Sequence, residues 1–138
     1  MSEGPNELLE RRKASPAGAG HYHLADRYPY EVRISISGQQ VALSIRAMVL
    51  KEVGKSLYHP SFYVPAEDVD LGLFEREVGY STQCPIKGEA SYWHFRGSDG
   101  DIDRAAWSYE APVHYSEMIA GHFGFDQRFA TIEISPPS

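Results

Sequence analysis

Three observations predict a mainly β, largely antiparallel domain with one or two short helices. Apolar and polar residues alternate at period two through several runs, the spacing of half-buried strands. The runs are short and stop at regular turn signals rich in Gly and Pro. No stretch carries the long apolar stripe of an amphipathic helix.

The elements follow in order along the chain. Residues 1–20 read as a flexible peripheral segment: Asn6 can cap a short helix, Glu7–Lys13, with an acidic start and a basic end that suit the helix dipole, and Ala14–Gly20 (ASPAGAG) is a connector. Residues 21–138 read as a single domain. From Glu31, residues Val32, Ile34 and Ile36 face one way and Arg33, Ser35 and Ser37 the other. Gly38-Gln39 permits a reversal, and Val41, Leu43 and Ile45 resume the alternation, which makes a hairpin. Met48–Val53 continues past a bend. Pro60 and Pro65 bracket a loop, with one helical turn over Pro65–Asp68. Leu71–Glu77 and Ala90–Phe95 read as strands. Ala105, Trp107 and Tyr109 share a face of another, stopped by Pro112. Ser116 can cap a short helix through Ala120. Phe123 and Phe125, then Ala130, Ile132 and Ile134, supply two closing strands.

Composition bounds what the domain can do. The chain has 138 residues, enough for one self-sufficient core. Its 13 basic and 19 acidic side chains leave a net charge of −6. Nucleic-acid binding needs a cationic face to displace phosphate counterions, and Arg11 to Lys13, flanked by Glu7 and Glu10, reads instead as a solvated helix face. One cysteine forms no intramolecular disulfide. The N-terminus lacks the apolar core of a signal peptide. The most apolar run, Val41–Leu50, is interrupted by Ser44 and Arg46 and is too short to span a bilayer. A cytoplasmic protein that binds neither membrane nor nucleic acid is expected; no feature fixes its oligomeric state.

Five constellations bear on chemistry. Cys84 stands three residues before Lys87 at a Pro85/Gly88 turn, where a cation would lower a thiol pKa and favour the nucleophilic thiolate. An inert, buried thiol is the competing reading. Tyr63, Tyr92, Trp93, Trp107 and Tyr109 lie on separate strands or adjoining loops and, converging, can stack a planar or cationic ligand. They can equally fill a small core. His21 and His23 have a metal-compatible spacing, but the remaining histidines do not, and no cysteine pair exists for structural zinc. Asp99, Asp101, Asp103 and Glu110 match calcium-loop positions, yet Arg104 occupies the place that requires glycine, so a hairpin turn is expected. Glu67 and Asp68 offer paired acids for acid–base work, or simply suit the start of a one-turn helix. No cofactor-binding motif is present, and none is expected.

The landmarks YVPAEDV (Tyr63–Val69), CPIKGEASYW (Cys84–Trp93), AWSYEAP (Ala106–Pro112) and IAGHFGFDQR (Ile119–Arg128) resemble, in order and spacing, a small bacterial family labelled domain of unknown function 427. That family is also catalogued as nucleotidyltransferase-like. The resemblance covers roughly Tyr30 to Ile134. It implies a compact β-tent-like domain of two small sheets, similar to methionine sulfoxide reductase B and the ligand-binding domain of cereblon. Several β-tent proteins hold zinc through two cysteine pairs; a chain with one cysteine should lack it. Nor does the chain carry the glycine-serine loop and paired metal-binding aspartates of nucleotidyl transfer.

The leading functional expectation is a domain that binds a small molecule or modified peptide. Tyr63, Tyr92, Trp107 and Tyr109 would line the pocket, with Lys87 and Glu67 as polar anchors. One alternative is an enzyme with Cys84 as nucleophile and Lys87 as its activator. Another is an interaction module presenting an acidic face of Glu67, Asp68, Asp70, Glu75 and Glu77.

Overall fold

The structure, a computed structural model, describes residues 13–14, 22–53, 61–84, 87–112 and 114–136. The first strands are β1 (Lys13–Ala14), β2 (Tyr22–Arg27), β3 (Glu31–Ile36), β4 (Gln39–Ser44), β5 (Met48–Val53) and β6 (Ser61–Pro65). Then come β7 (Phe74–Cys84), β8 (Gly88–Gly97), β9 (Gly100–Ser108), β10 (His122–Phe125) and β11 (Ala130–Ser135). The helical elements among the described residues are 3-10 turns, at Ala66–Asp68, Leu71–Leu73 and His114–Ile119. The chain is mainly β, as its periodicity predicts, and the short helices expected are 3-10 turns rather than α-helix.

Among the described residues all strand pairings are antiparallel, in two sheets. The larger has the order β1-β2-β5-β6-β10-β9-β8-β7, in which β1 is a two-residue edge piece, and the smaller has the order β11-β3-β4. The small sheet packs on one face of the large one. Val32, Ile34, Ile36 and Val41 are fully buried there, against Val64, Phe74, Phe95, Ala106, Phe123 and Phe125. Alternation along the strands sends the neighbouring residues to the opposite face of the large sheet. Tyr63, Ala90 and Tyr109 gather on that face with Leu50 and Ile119, and Tyr92, Trp107 and Met48 pack partly buried against them. Period two therefore builds two clusters from one sheet.

The β3–β4 hairpin turns at Ser37 (φ 52°) and Gly38 (φ 77°), one residue before the expected Gly38-Gln39. Two successive positive φ values give the twist that a tight hairpin needs. The expected face of β4 is corrected. Ile34 pairs with Ala42 but Ser35 pairs with Gln40, so Val41 is an extra, bulged residue. A bulge shifts the phase of everything beyond it. Val41, Ala42 and Ser44 are buried, whereas Leu43 and Ile45 point outward, Ile45 at 68% exposure.

Four further expectations change. The stretch between Pro60 and Pro65 is not a loop: residues 61–65 are the interior strand β6. Pro65 ends that strand beyond the part paired with β5, where its missing N–H breaks no ladder bond to that neighbour. Leu71–Leu73 is a 3-10 turn, closed by the Leu73 N–H donating to the Asp70 carbonyl, so the strand begins only at Phe74. Lys13 and Ala14 form a strand against Tyr22 and His23 rather than a helix end and connector. The rest of the segment 1–20 lies outside the described residues, as does His21. Ser116 sits inside the 3-10 turn that starts at His114, not at its cap.

Two irregular strands matter for the site. Edge strand β7 pairs Arg76 with Trp93 but Ser81 with Ser91, so Glu77–Tyr80 loops out of register, with Gly79 at φ 81° and Val78 95% exposed. Such a bulge also blunts an open sheet edge. β9 pairs Ala106 with Trp93 but Ile102 with Phe95, which leaves extra residues around Arg104, itself at φ 52°.

Candidate functional site

The cleft begins with the aromatic cluster. Tyr92 of β8 pairs with Trp107 of β9, so both rings leave the same face of the sheet. Gly124 of β10 stands opposite Trp107 on its other side. A Cβ at Gly124 would lie 2.6 Å from the indole Cε2, so glycine is what lets the indole rest on the β10 backbone. Beneath the indole lies Tyr63, 1% exposed, with the Trp107 Nε1 donating to its hydroxyl at 3.4 Å. The Tyr63 and Tyr109 rings are 6.4 Å apart. Thr82 Oγ1 and the Tyr92 hydroxyl share a hydrogen bond of 2.7 Å. Tyr63 is thus the cluster's buried base, whereas Tyr92 and Trp107 are half-buried and reach its surface.

Two arginines complete the rim. A cavity of about 300 Å³ is lined by Tyr92, Trp107 and Tyr109 together with Arg104, Asp126 and Arg128. Arg104 donates through Nε and Nη2 to the two Glu77 carboxylate oxygens, at 2.8 and 3.0 Å. Its guanidinium carbon sits 3.6 Å from the centre of the Tyr80 ring, and Tyr80 stands 5.2 Å from Tyr92. The Arg104 backbone N–H also donates to His94 Nδ1 at 3.1 Å. The bulges of β7 and β9 are therefore tied to each other by one fork and one ring contact. Arg128 repeats the arrangement. Its Nε and Nη2 reach the Asp126 carboxylate, the shortest bond being 2.7 Å, and its guanidinium carbon is 5.4 Å from the Phe129 ring centre.

The electrostatics follow from these forks. The Arg104 bond holds the Glu77 carboxyl below its ordinary pKa, against some desolvation, and the Glu77 bond raises Arg104. The Arg128 bond likewise lowers Asp126, and Asp126 raises Arg128. All four groups are ionised near neutral pH, and the two charge pairs cancel. Trp107 and Asp126 also line a second cavity of about 300 Å³, with Ser61, Phe62, Phe125 and Ile132. A larger hollow of about 550 Å³ lies by the β7 bulge, among Arg76, Glu77, Glu89 and Ser91. Its polar groups are engaged with each other and with neighbours: Arg76 with Ser91 and Glu110, Ser81 with Glu89, Glu77 with Arg104.

The expected residues divide. Tyr63, Tyr92, Trp107 and Tyr109 come together in one cluster. Trp93, the other candidate ring, faces the opposite side of the sheet, where it donates to Ser108 Oγ at 3.0 Å and packs on Phe123. Lys87 lies half-buried on the turn between β7 and β8, next to Gly88 at φ 103°. Glu67 is exposed on the 3-10 turn after β6, 3.9 Å from Arg46. Cys84 ends β7, and its thiol lies outside the described structure.

The expected acidic face is interrupted by arginines. Asp68 accepts from Ser44 Oγ at 2.7 Å and from Arg46 Nη2 at 3.1 Å; Glu75 pairs with Arg96, and Glu77 with Arg104. Asp101 also pairs with Arg96, at 3.3 Å, beside the Gly97–Gly100 hairpin turn where Asp99 sits. Among the described residues, no three His, Cys, Asp or Glu side chains converge to hold a metal ion.

Sequence reasoning missed Arg104, Tyr80, Asp126 and Arg128 as site residues and placed Glu77 only on the acidic face. Arg104 reaches the cleft from a bulge, which no local pattern marks. Asp126 and Arg128 had a readable signal, an Asp-x-Arg in the short connection between two apolar strands, where the Asp carboxylate also accepts the Arg128 backbone N–H at 2.9 Å.

Comparison with known proteins agrees with the sequence landmarks. No curated protein matches the chain. The sequence model of one family, described as domain of unknown function (DUF427), matches residues 25–135, which take in the small sheet, the large sheet from Ala25 of β2 onward and every residue of the aromatic cleft. The chain belongs to the DUF427 family.

Proposed function

We propose that the domain binds a small molecule, or a modified side chain of a peptide, in the cleft of Tyr92, Trp107 and Tyr109. The observation that carries this reading is that Trp107 and Tyr92 do not vanish into a core. They are half-buried and border a cavity, while Tyr63 fills the volume beneath them. Ligand pockets combine apolar walls with a few fixed polar groups, and about 300 Å³ is the lower end of their usual volume. The flat faces of an indole and a phenol favour a planar guest, held by stacking.

A thermal-shift screen tests this with nucleotides, methylated amines, cyclic imides and common metabolites. A ligand that binds only the native state, at 100 times its dissociation constant, adds about 2.7 kcal/mol. The expected result is a hit that disappears in Trp107→Ala and weakens in Trp107→Phe. A hit of equal strength in both variants would remove the cleft from consideration.

A further inference from the structure

We infer that the cleft selects planar ligands that carry an anionic group, a carboxylate or a phosphate, and binds it through Arg104 and Arg128. This rests on the cleft being the ligand site and adds the class of ligand. Three observations carry it. Both arginines line the same cavity as the Tyr92 and Trp107 rings. Each presents the same edge, Nε with Nη2, to a carboxylate, Glu77 for one and Asp126 for the other. Each also lies near an aromatic ring, Tyr80 or Phe129.

A guanidinium has five N–H donors in a fixed plane. With one edge spent on a carboxylate, the Nη1 side is the part left to meet a guest. The carboxylates and rings fix the direction of those donors before any ligand arrives, which lowers the ordering cost of binding. Net charge does not do this work. The chain as a whole is at −6, and Glu77 and Asp126 neutralise the two arginines, so no positive field draws anions in from a distance. Selectivity arises from directed, charge-assisted hydrogen bonds at short range. A ligand with its ring on Trp107 and its anion toward the Nη1 edges uses both halves of the cleft. A neutral ligand uses only the rings.

Matched pairs test the point: indole-3-acetate with indole-3-acetamide, 4-hydroxyphenylacetate with its amide, and phenyl phosphate with phenol. Calorimetry and saturation-transfer NMR on the full chain give the affinities. In at least one pair the anion binds about tenfold tighter than its neutral twin, as one charge-assisted hydrogen bond predicts. Comparison of the carboxylate pairs with the phosphate pair tells which anion the site prefers. Arg128 is 81% exposed, so Arg128→Gln leaves folding intact. In that variant the preference falls to about twofold while the neutral twins bind as before. Equal affinity within every pair overturns the anion selectivity and leaves the cleft reading in place. A preference that survives in both Arg128→Gln and Arg104→Gln overturns the role of the arginines. If no probe gives saturation transfer at millimolar concentration, both the inference and the cleft reading fall.

Discussion

The large sheet carries two apolar clusters on its two faces, and they are built differently. Toward the small sheet the side chains are mostly aliphatic or phenylalanine, and Val32, Ile34, Ile36, Val41 and Val64 are all fully buried. On the other face Leu50, Ala90 and Ile119 share the cluster with three tyrosines and one tryptophan, of which Tyr63, Tyr92 and Trp107 are hydrogen-bonded, and Tyr92 and Trp107 stay half-buried beside a cavity. A stability core gains most from close packing and loses from polar atoms. The first cluster meets that description. The second keeps hydroxyls, an indole N–H and open space, at a cost in packing. Both clusters border a cavity, and the second differs in carrying the hydroxyls of Tyr63, Tyr92 and Tyr109.

The largest expected effect tests the packing cluster. Ile34→Ala, at a site with no exposure, should cost about 2–5 kcal/mol in denaturant unfolding and leave ligand affinity of the folded protein unchanged. Trp107→Ala should cost less, about 1–3 kcal/mol, because the ring already borders a cavity, while abolishing ligand binding. Equal costs, with binding retained in both, would make the second cluster merely another core.

Gly124→Ala sharpens the contrast at a single atom. The new Cβ meets the Trp107 indole at 2.6 Å, so the ring must lift away from β10. We expect about 1–3 kcal/mol of destabilisation and a shift in tryptophan emission. Gly79→Ala is the control, since a Cβ there meets nothing within 4 Å, although its φ of 81° disfavours alanine. It should cost about 1 kcal/mol and leave the emission unchanged.

The two regions also differ in how far the sequence discloses them. The alternation of Val32, Ile34 and Ile36 named the core face of β3 correctly, and Phe123, Phe125 and Ala130 are buried, although Ile134, which closes the last run, is exposed. The reading failed where the chain departs from regular pairing. Leu43 and Ile45 continue the pattern on paper, but the bulge at Val41 turns them outward, and a bulge is set by the partner strand rather than by local sequence. Pro65 concealed an interior strand because its position at the strand end was not legible. At the cleft the aromatic members were visible as a group, although a pocket and a small core were equal readings of them. Their arginine partners were not. Arg104 enters through a left-handed residue in one bulge and meets Glu77 in another, 27 positions away in sequence. That encounter exists only once three strands, β7, β8 and β9, have assembled.

The smallest expected effect concerns acid, and it divides the same two regions through two aspartates. Asp68 belongs to the packing side. Desolvation works against its ionisation, but bonds from Ser44 of β4 and from Arg46 outweigh it and hold the carboxyl below its ordinary 3.8. A carboxyl depressed on folding stabilises the native state above its unfolded pKa, and that contribution is lost as pH falls through the lower, folded value. Asp68→Asn should therefore lower stability by about 1 kcal/mol near neutral pH, after allowance for solvent screening. The difference from the parent should shrink as the solution is acidified below 3.8, because the parent then loses the same charge. Asp126 is lowered too, chiefly by Arg128, but that partner is mostly solvent-exposed. Asp126→Asn should flatten the acid limb less than Asp68→Asn, because its chief partner is screened by solvent, and act mainly on the cleft by loosening the Arg128 fork. Chemical unfolding of both variants between pH 2.5 and 7 measures this. If Asp126→Asn flattened the acid limb and Asp68→Asn did not, the assignment of one aspartate to stability and the other to the site would be reversed.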